Sequence, residues 1–236
     1  MLLFGINFNL YYMMLLKNFR GVYRNTELWC YIITVLFSGT VIAANIYPLS
    51  GSFSQAIRDS FFQVASITTT TGYATANFNL WPILSKAILF LLMFMGGCAG
   101  STAGGLKVAR LVLLFKAARR ELRRMLHPRS VGVVHLDGKR VDEETLGSLS
   151  AYCTLYVALL LGTFLLLCLE PFDFETNLTA AVSCINNVGP AYGAAAANYA
   201  AYSYGAKLLL SLAMLLGRLE IIPVLFTLSP STWSKK

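Results

Sequence analysis

"SITTTTGYAT", residues 66–75, sets four threonines in a row ahead of a Gly-Tyr pair, in a chain that is 56% hydrophobic. Threonine runs make poor helix, and glycine opens backbone angles that other residues resist. The stretch therefore predicts irregular main chain carrying a dense row of oxygens. Its surroundings decide whether those oxygens face water on a surface loop or line something inside.

The surroundings are those of a membrane protein. Of 236 residues, 13% are charged and 13% aromatic, and the mean hydropathy is +0.61. Soluble domains carry about 25% charge. The formal net charge of +8 is clustered, with ten Lys/Arg between Lys107 and Arg140 and none from Val141 to Ala206. A nucleic-acid binder would carry a basic face on a soluble domain. Basic blocks beside apolar segments instead follow the positive-inside pattern of cytoplasmic loops, which argues against a nucleic-acid partner. The five cysteines show no C-x-x-C spacing, and His127 and His135 have no second ligand at metal spacing. No metal centre or cofactor is expected, and buried free thiols account for the cysteines. No cleavable signal peptide is expected, because the start lacks a basic n-region and a small-residue cleavage site.

Outward from the threonines the chain reads as spans and half-spans. Met1–Leu16 is apolar and aromatic and is followed by Lys17, Arg20 and Arg24. It reads as the last part of a spanning helix before a cytoplasmic turn. Trp29–Tyr47 is 19 uncharged residues, enough for about 30 Å of hydrocarbon, and Pro48–Gly51 is expected to end it on the outer side. Ser52–Thr69 looks helical but holds Arg58, Asp59 and Gln63. A helix that polar cannot face lipid, so it is expected to enter and stop short, surrounded by protein or water. After the threonines, Trp81 offers an interfacial anchor, Pro82 starts a helix, and Ile83–Met95 runs inward. "GGCAGSTAGG" (96–105) interrupts it, and Leu106–Leu126 resumes as a basic helix before a hydrophilic loop. The pattern then restarts. Leu149–Leu169 spans outward to Glu170 and Pro171, Phe174–Asn186 is a second short helix, "NNVGPAYG" (186–193) follows, and Lys207–Leu228 runs inward.

Self-comparison supports the restart. "GTVIAANIYP" (39–48) aligns with "GTFLLLCLEP" (162–171), Phe53 with Phe174, "TGY" (71–73) with "VGP" (188–190), and "SKAILFLLMFMG" (85–96) with "AKLLLSLAMLLG" (206–217), so Lys86 falls on Lys207. The fold class read from this is an all-α membrane protein of two tandem units. Each unit is a helix, a pore helix, a filter loop and a helix. Half-helices that aim a terminus at the membrane midplane can present main-chain carbonyls to an ion. The threonines and Gly72 therefore read as a lining.

"ITTTTGYAT", "GGCAGSTAGGLKVARL", "NNVGPAYG" and "LLGRLEIIPVLFTLSPSTW" together resemble the Trk/Ktr/HKT superfamily of potassium transporters, closest to its bacterial TrkH branch. The resemblance covers nearly the whole chain. It implies four repeats around one pseudo-fourfold pore, of which this chain would carry the third and fourth. The implied division is 1–25, the end of a preceding pore-lining helix with a cytoplasmic linker; 26–126, the third repeat; 127–145, a basic cytoplasmic loop; and 146–236, the fourth repeat. Two of four filter loops would then lie elsewhere. The expectation is a fragment of a chain about twice as long, the alternative being two chains that pair to complete a pore.

The resemblance also implies roles. Thr70, Thr71, Gly72 and Tyr73, with Asn187, Val188, Gly189 and Pro190, would supply two quadrants of a K⁺ filter. Gly96, Gly97, Gly100, Ser101, Thr102, Gly104 and Gly105 would form the intramembrane gate beneath it. The same loop is not a phosphate-binding loop, since Leu106 separates Gly105 from Lys107. Arg218 would latch that gate; an arginine at membrane depth costs on the order of 3 kcal/mol unless it faces water or a partner. Glu220 could pair with it instead. Lys86 and Lys207 are expected to snorkel or pair with acids near the pore helices. "KAARRELRR" (116–124) could meet anionic membrane lipids or a cytosolic nucleotide-binding regulatory subunit of the TrkA kind. A homodimer in the bacterial inner membrane, C-terminus cytoplasmic, is implied too.

The function expected is potassium uptake, with no enzyme chemistry, since both histidines lie in the cytoplasmic stretch and no nucleophile–base set is available. The alternatives are a less selective Na⁺/K⁺ conductor or a non-conducting assembly half. Selectivity between the two ions depends on the repeats that are not in this sequence.

Overall fold

The computed structural model describes residues 1–127, 132–196 and 198–218. A 3-10 turn (Leu2–Gly5), α1 (Phe8–Leu15) and α2 (Phe19–Tyr23) precede the long helix α3 (Thr26–Ser50). Then come α4 (Phe53–Thr68), α5 (Ile83–Met95) and α6 (Val108–Leu126). A two-stranded hairpin, β1 (His135–Leu136) and β2 (Lys139–Arg140), leads into α7 (Glu143–Leu167), α8 (Phe174–Ile185) and α9 (Tyr204–Arg218).

Two of these helices, α3 and α7, are long and apolar enough to cross a membrane. The two that follow them are not. At 1.5 Å per residue, the 16 residues of α4 and the 12 of α8 reach about 24 and about 18 Å, short of a bilayer core of about 30 Å. Both end inside protein. Gln63–Thr68 of α4 and Thr179–Ile185 of α8 are buried throughout, so of the polar residues of α4, Gln63 is enclosed by protein, while Asp59 is half-buried and Arg58 exposed.

Packing follows the chain order. α3 lies along α4, and α5 contacts both; α7 and α9 flank α8; α5 touches α8 and joins the two halves. Ile42, Ile46, Val64, Ile67, Leu89 and Met93 form the first core, and Val188 and Tyr192 from the second half pack into it. Leu167, Ala180, Ala181, Cys184 and Leu210 form the second. The Phe78 and Tyr192 rings meet at 5.6 Å across the junction. Lys86 pairs with Glu175 at 3.0 Å, which decides between snorkelling and pairing at that position. Lys207 donates instead to the Ala200 carbonyl at 2.8 Å.

Several expected boundaries move for identifiable reasons. α5 keeps the bounds 83–95, fixed by Pro82 before it and Gly96 after it. α3 carries Pro48 within its last turn and stops at Gly51, whose φ of 65° ends the helix. One proline removes one intrahelical bond without ending a helix that other packing holds. α7 begins at Glu143, six residues before the expected apolar span, because Glu143 and Glu144 suit the positive end of the helix dipole. The first sixteen residues are not one helix. Asn7 interrupts them and caps α1 by accepting from the Asn9 N–H at 2.9 Å. The expected hydrophilic loop holds the hairpin, turned by Asp137 and Gly138 at φ 50° and 80°. Of the expected inward span 207–228, the part after Arg218 lies outside the described residues, as does Glu220.

Gly217 shows how tightly α9 meets α8. A Cβ there would stand 1.8 Å from the Ile185 carbonyl oxygen, a main-chain atom that no rotamer can move. Gly217→Ala is expected to cost ~1–3 kcal/mol as overpacking, measured as a lowered Tm of the detergent-solubilised protein. Gly147→Ala, with open space around it, serves as the neutral control.

Candidate functional site

The short helices α4 and α8 end in the same hydrogen-bonded turn. In the first, the Thr70 N–H donates to the Ile67 carbonyl at 3.0 Å and the Thr71 N–H to Ser66 at 2.8 Å. In the second, the Asn187 N–H donates to Cys184 at 3.1 Å and the Val188 N–H to Ser183 at 2.9 Å. This is the paired 6→1 and 5→2 bonding of a Schellman stop, which needs a left-handed residue after the cap. Thr70 at φ 51° and Asn187 at φ 56° supply it, and Gly72 at φ 81° and Gly189 at φ 106° repeat the left-handed backbone two residues on. Asparagine tolerates that region; β-branched threonine is strained in it.

The two turns meet. A Cβ on Gly72 would lie 2.4 Å from the Val188 carbonyl oxygen and 3.3 Å from Pro190 Cδ, and one on Gly189 would lie 3.8 Å from Gly72 Cα. Only glycine at 72 permits that approach. Among the described residues, no hydrogen bond ends on the main-chain carbonyls of Thr70, Thr71, Asn187 or Val188. The Gly189 carbonyl is different, since the Tyr199 hydroxyl donates to it at 2.7 Å. Thr71 and Tyr73 are exposed, Asn187, Gly189 and Pro190 half-buried, and Val188 buried. Neither turn contains a carboxylate, so the polarity of the cluster is that of main-chain dipoles.

The glycine-rich loop between α5 and α6 lies against both turns. Its Gly104 N–H donates to Thr70 Oγ1 at 2.8 Å. A Cβ on Gly104 would lie 2.6 Å from the Asn186 carbonyl, and one on Gly105 3.3 Å from Asn186 Oδ1. Gly96, at φ 61°, packs against the Gly104 carbonyl and closes the loop on itself. On its other side the loop is bonded to the N-terminal segment. Cys98 N–H donates to Gly5 O at 2.8 Å, Phe8 N–H to Gly100 O at 3.2 Å, and Thr102 Oγ1 to Phe4 O at 3.3 Å. Gly97 accepts from Val108 N–H at 3.1 Å, and Ser101 turns back onto Cys98.

Arg218 reaches this loop through a cavity of about 170 Å³ lined by Ser101, Gly104, Gly105, Lys107 and Arg110 as well as itself. It makes no hydrogen bond to the loop among the described residues. Arg110 stacks over the Tyr152 ring at 4.3 Å. Every sequence-predicted site residue thus falls in one cluster of two turns, one loop and one arginine.

A family model described as "TrkH: Cation transport protein" matches residues 20–235. The chain belongs to the TrkH family. It is 35% identical to the Trk system potassium uptake protein TrkG of Escherichia coli strain K12, over 98% of this chain and 48% of that protein. It is 33% identical to TrkH of the same strain, over 99% of this chain and 49% of that protein. The crystal structure of the potassium transporter TrkH from Vibrio parahaemolyticus superposes with a TM-score of 0.89 at 30% identity, covering 99% of this chain and 51% of that one. The chain therefore spans about half the length of the curated relatives it matches. The family's members are described as cation transport proteins and not enzymes, and the helical membrane-type fold agrees with membership.

Three contacts around the site were not visible in the sequence of this TrkH-family chain. Tyr199 takes the Gly189 carbonyl; Tyr156 donates to Asn186 Oδ1 at 3.0 Å behind the second turn; and Glu27, in the first turn of α3, accepts from the loop's Ala99 N–H at 2.5 Å. They join residues 10, 30 and 72 positions apart, and no motif spacing marks them. At Thr70 the geometry separates two substitutions. Thr70→Asn should keep wild-type thermal stability, because Asn187 occupies the same backbone state. Thr70→Val keeps the strain and removes the acceptor for Gly104, which should lower stability by ~1–3 kcal/mol in the same melting assay.

Proposed function

We propose that the two turns are two quadrants of a potassium-selective filter, that the glycine-rich loop beneath them is its gate, and that the protein admits K⁺ to a bacterial cell down its electrochemical gradient. On this reading α4 and α8 are pore helices of two tandem repeats, forming half of a pseudo-fourfold pore. Two further repeats complete it, from a longer chain or a second copy. The single observation that supports the filter most directly is the set of unbonded carbonyls on Thr70, Thr71, Asn187 and Val188 in two abutting, carboxylate-free turns. Main-chain carbonyls of that kind can replace the hydration shell of a dehydrated monovalent cation. The relatives named as potassium uptake proteins supply the ion.

The gate reading rests on contact and chemistry together. Five glycines in ten residues leave a helix broken at membrane depth, tolerable only where it is packed in protein or lines a cavity. The positive charge of Arg218 beside the loop adds an electrostatic barrier to cations while the loop is seated. The basic clusters support a cytoplasmic side for the α6 end and the C-terminus. There Lys116, Arg119, Arg123 and Arg124 can meet anionic headgroups or a nucleotide-binding regulator of the TrkA kind. A dimer of such pores is part of the same reading.

The test uses the protein isolated from its host membrane and reconstituted in liposomes. Rubidium-tracer uptake should be selective over sodium, and Gly72→Ser should lower that preference by about tenfold, equivalent to ~1.4 kcal/mol of lost coordination. Unchanged flux and selectivity would remove the filter assignment. For the latch, Arg218→Ala should raise open probability in single-channel records; a smaller conductance with unaltered gating would contradict it.

A further inference from the structure

Glu27 has no part in the reading above, yet it is among the most constrained charged side chains in the molecule. It stands in the first turn of α3 with only 5% of its surface exposed. One oxygen, Oε1, accepts two main-chain N–H groups from different elements: Ala99 in the glycine-rich loop at 2.5 Å and Ala109 in the first turn of α6 at 3.1 Å. Burying a carboxylate is costly unless such bonds compensate it. Hydrogen bonds to an ionised acceptor are roughly twice as strong as neutral ones.

The two donors differ in what they can do. Ala109 is an early amide of α6 whose helix supplies it no partner, and the N-cap residue Lys107 makes no side-chain cap. Glu27 caps α6 from another helix and faces the positive end of its dipole. That bond joins α3 to the start of α6 and does not involve the loop. Ala99 lies in a segment held also by Gly5 O through Cys98, by Thr70 Oγ1 through Gly104 and by the Lys107 ammonium on the Ala103 carbonyl. If the loop moves away from α3, the Ala99 bond has to break. The carboxylate then keeps Ala109, so its charge is never left without a donor.

We propose that Glu27 is a positioning residue that tethers the Gly96–Gly105 loop in its seated state, with the Ala99–Glu27 bond as the contact released on opening. The proposal rests on the reading of that loop as a gate. It assigns to Glu27 a share of the closed-state lifetime and no contact with the ion.

The experiment is single-channel recording of the reconstituted protein with Glu27→Ala, Glu27→Asp and Glu27→Gln. Glu27→Ala should shorten the mean closed time by about tenfold or more, the factor implied by losing a hydrogen bond to a charged acceptor, with unit conductance and K⁺/Na⁺ preference kept. Glu27→Asp withdraws the oxygen by one methylene and should shorten closures as well, which keeps the test open if the alanine variant does not fold. Glu27→Gln retains a carbonyl oxygen at the same reach and should restore closed times to within about threefold of wild type, since its oxygen can accept both amides. Wild-type closed times in Glu27→Ala or Glu27→Asp overturn the proposal, as does Glu27→Gln gating like Glu27→Ala. If the wild-type protein conducts no K⁺, the transport reading fails separately. The tether is then read by amide hydrogen exchange over residues 96–105, which should quicken in Glu27→Asp and not in Glu27→Gln; equal exchange in all three proteins overturns it.

Discussion

A main-chain carbonyl in hydrocarbon has to be satisfied, and the fold is organised around the few places where it is not satisfied by helix. α4 and α8 stop short, each with a Schellman turn, and the chain beyond each turn exposes oxygens that no neighbouring N–H claims. Such backbone survives only inside a collar of other helices. α3, α5, α7 and α9 are that collar, and their apolar outer faces are what a bilayer requires. Remove the left-handed residues at 70 and 187, and the short helices would extend into the space where the turns now meet.

The closeness of the packing depends on glycine at particular positions. Gly72 admits the Val188 carbonyl, Gly104 admits Asn186, and Gly217 admits Ile185. In each case the neighbour is main chain, which cannot swing aside. Threonine at 70 is the exception that carries its own compensation: a strained residue is retained where its hydroxyl accepts the Gly104 N–H and joins the first turn to the loop below. Strain at such a point is consistent with a functional position, because ordinary helix stops use glycine there.

How much of this was legible beforehand varies with the range of the interaction. The short helices, the bounds 83–95 of α5 and the interruption at Gly96 follow from local signals: polar residues in an otherwise apolar stretch, proline before a helix, glycines after it. The starts of α3 and α7 fall earlier than apolar runs suggest, because their first turns are polar and are fixed by Asn25 and by Glu143 and Glu144. The Asp137-Gly138 pair is a strong hairpin signal that a search for spans passes over. Glu27 carries no local signal at all. Its partners are amides 72 and 82 positions away, and any residue type can supply an amide. The diversion of the Gly189 carbonyl to Tyr199 is equally silent in sequence, so the two turns look more alike in their letters than in their bonding.

The hairpin before α7 has a mechanical consequence. Asp137 at its tip accepts the Thr26 N–H at 2.7 Å and the Asn25 side-chain amide at 3.2 Å, so a segment 111 residues downstream adds to the cap that Asn25 makes on α3. Thr26 is the immediate neighbour of Glu27. A displacement of the hairpin would therefore be felt at the residue next to the carboxylate that grips the loop.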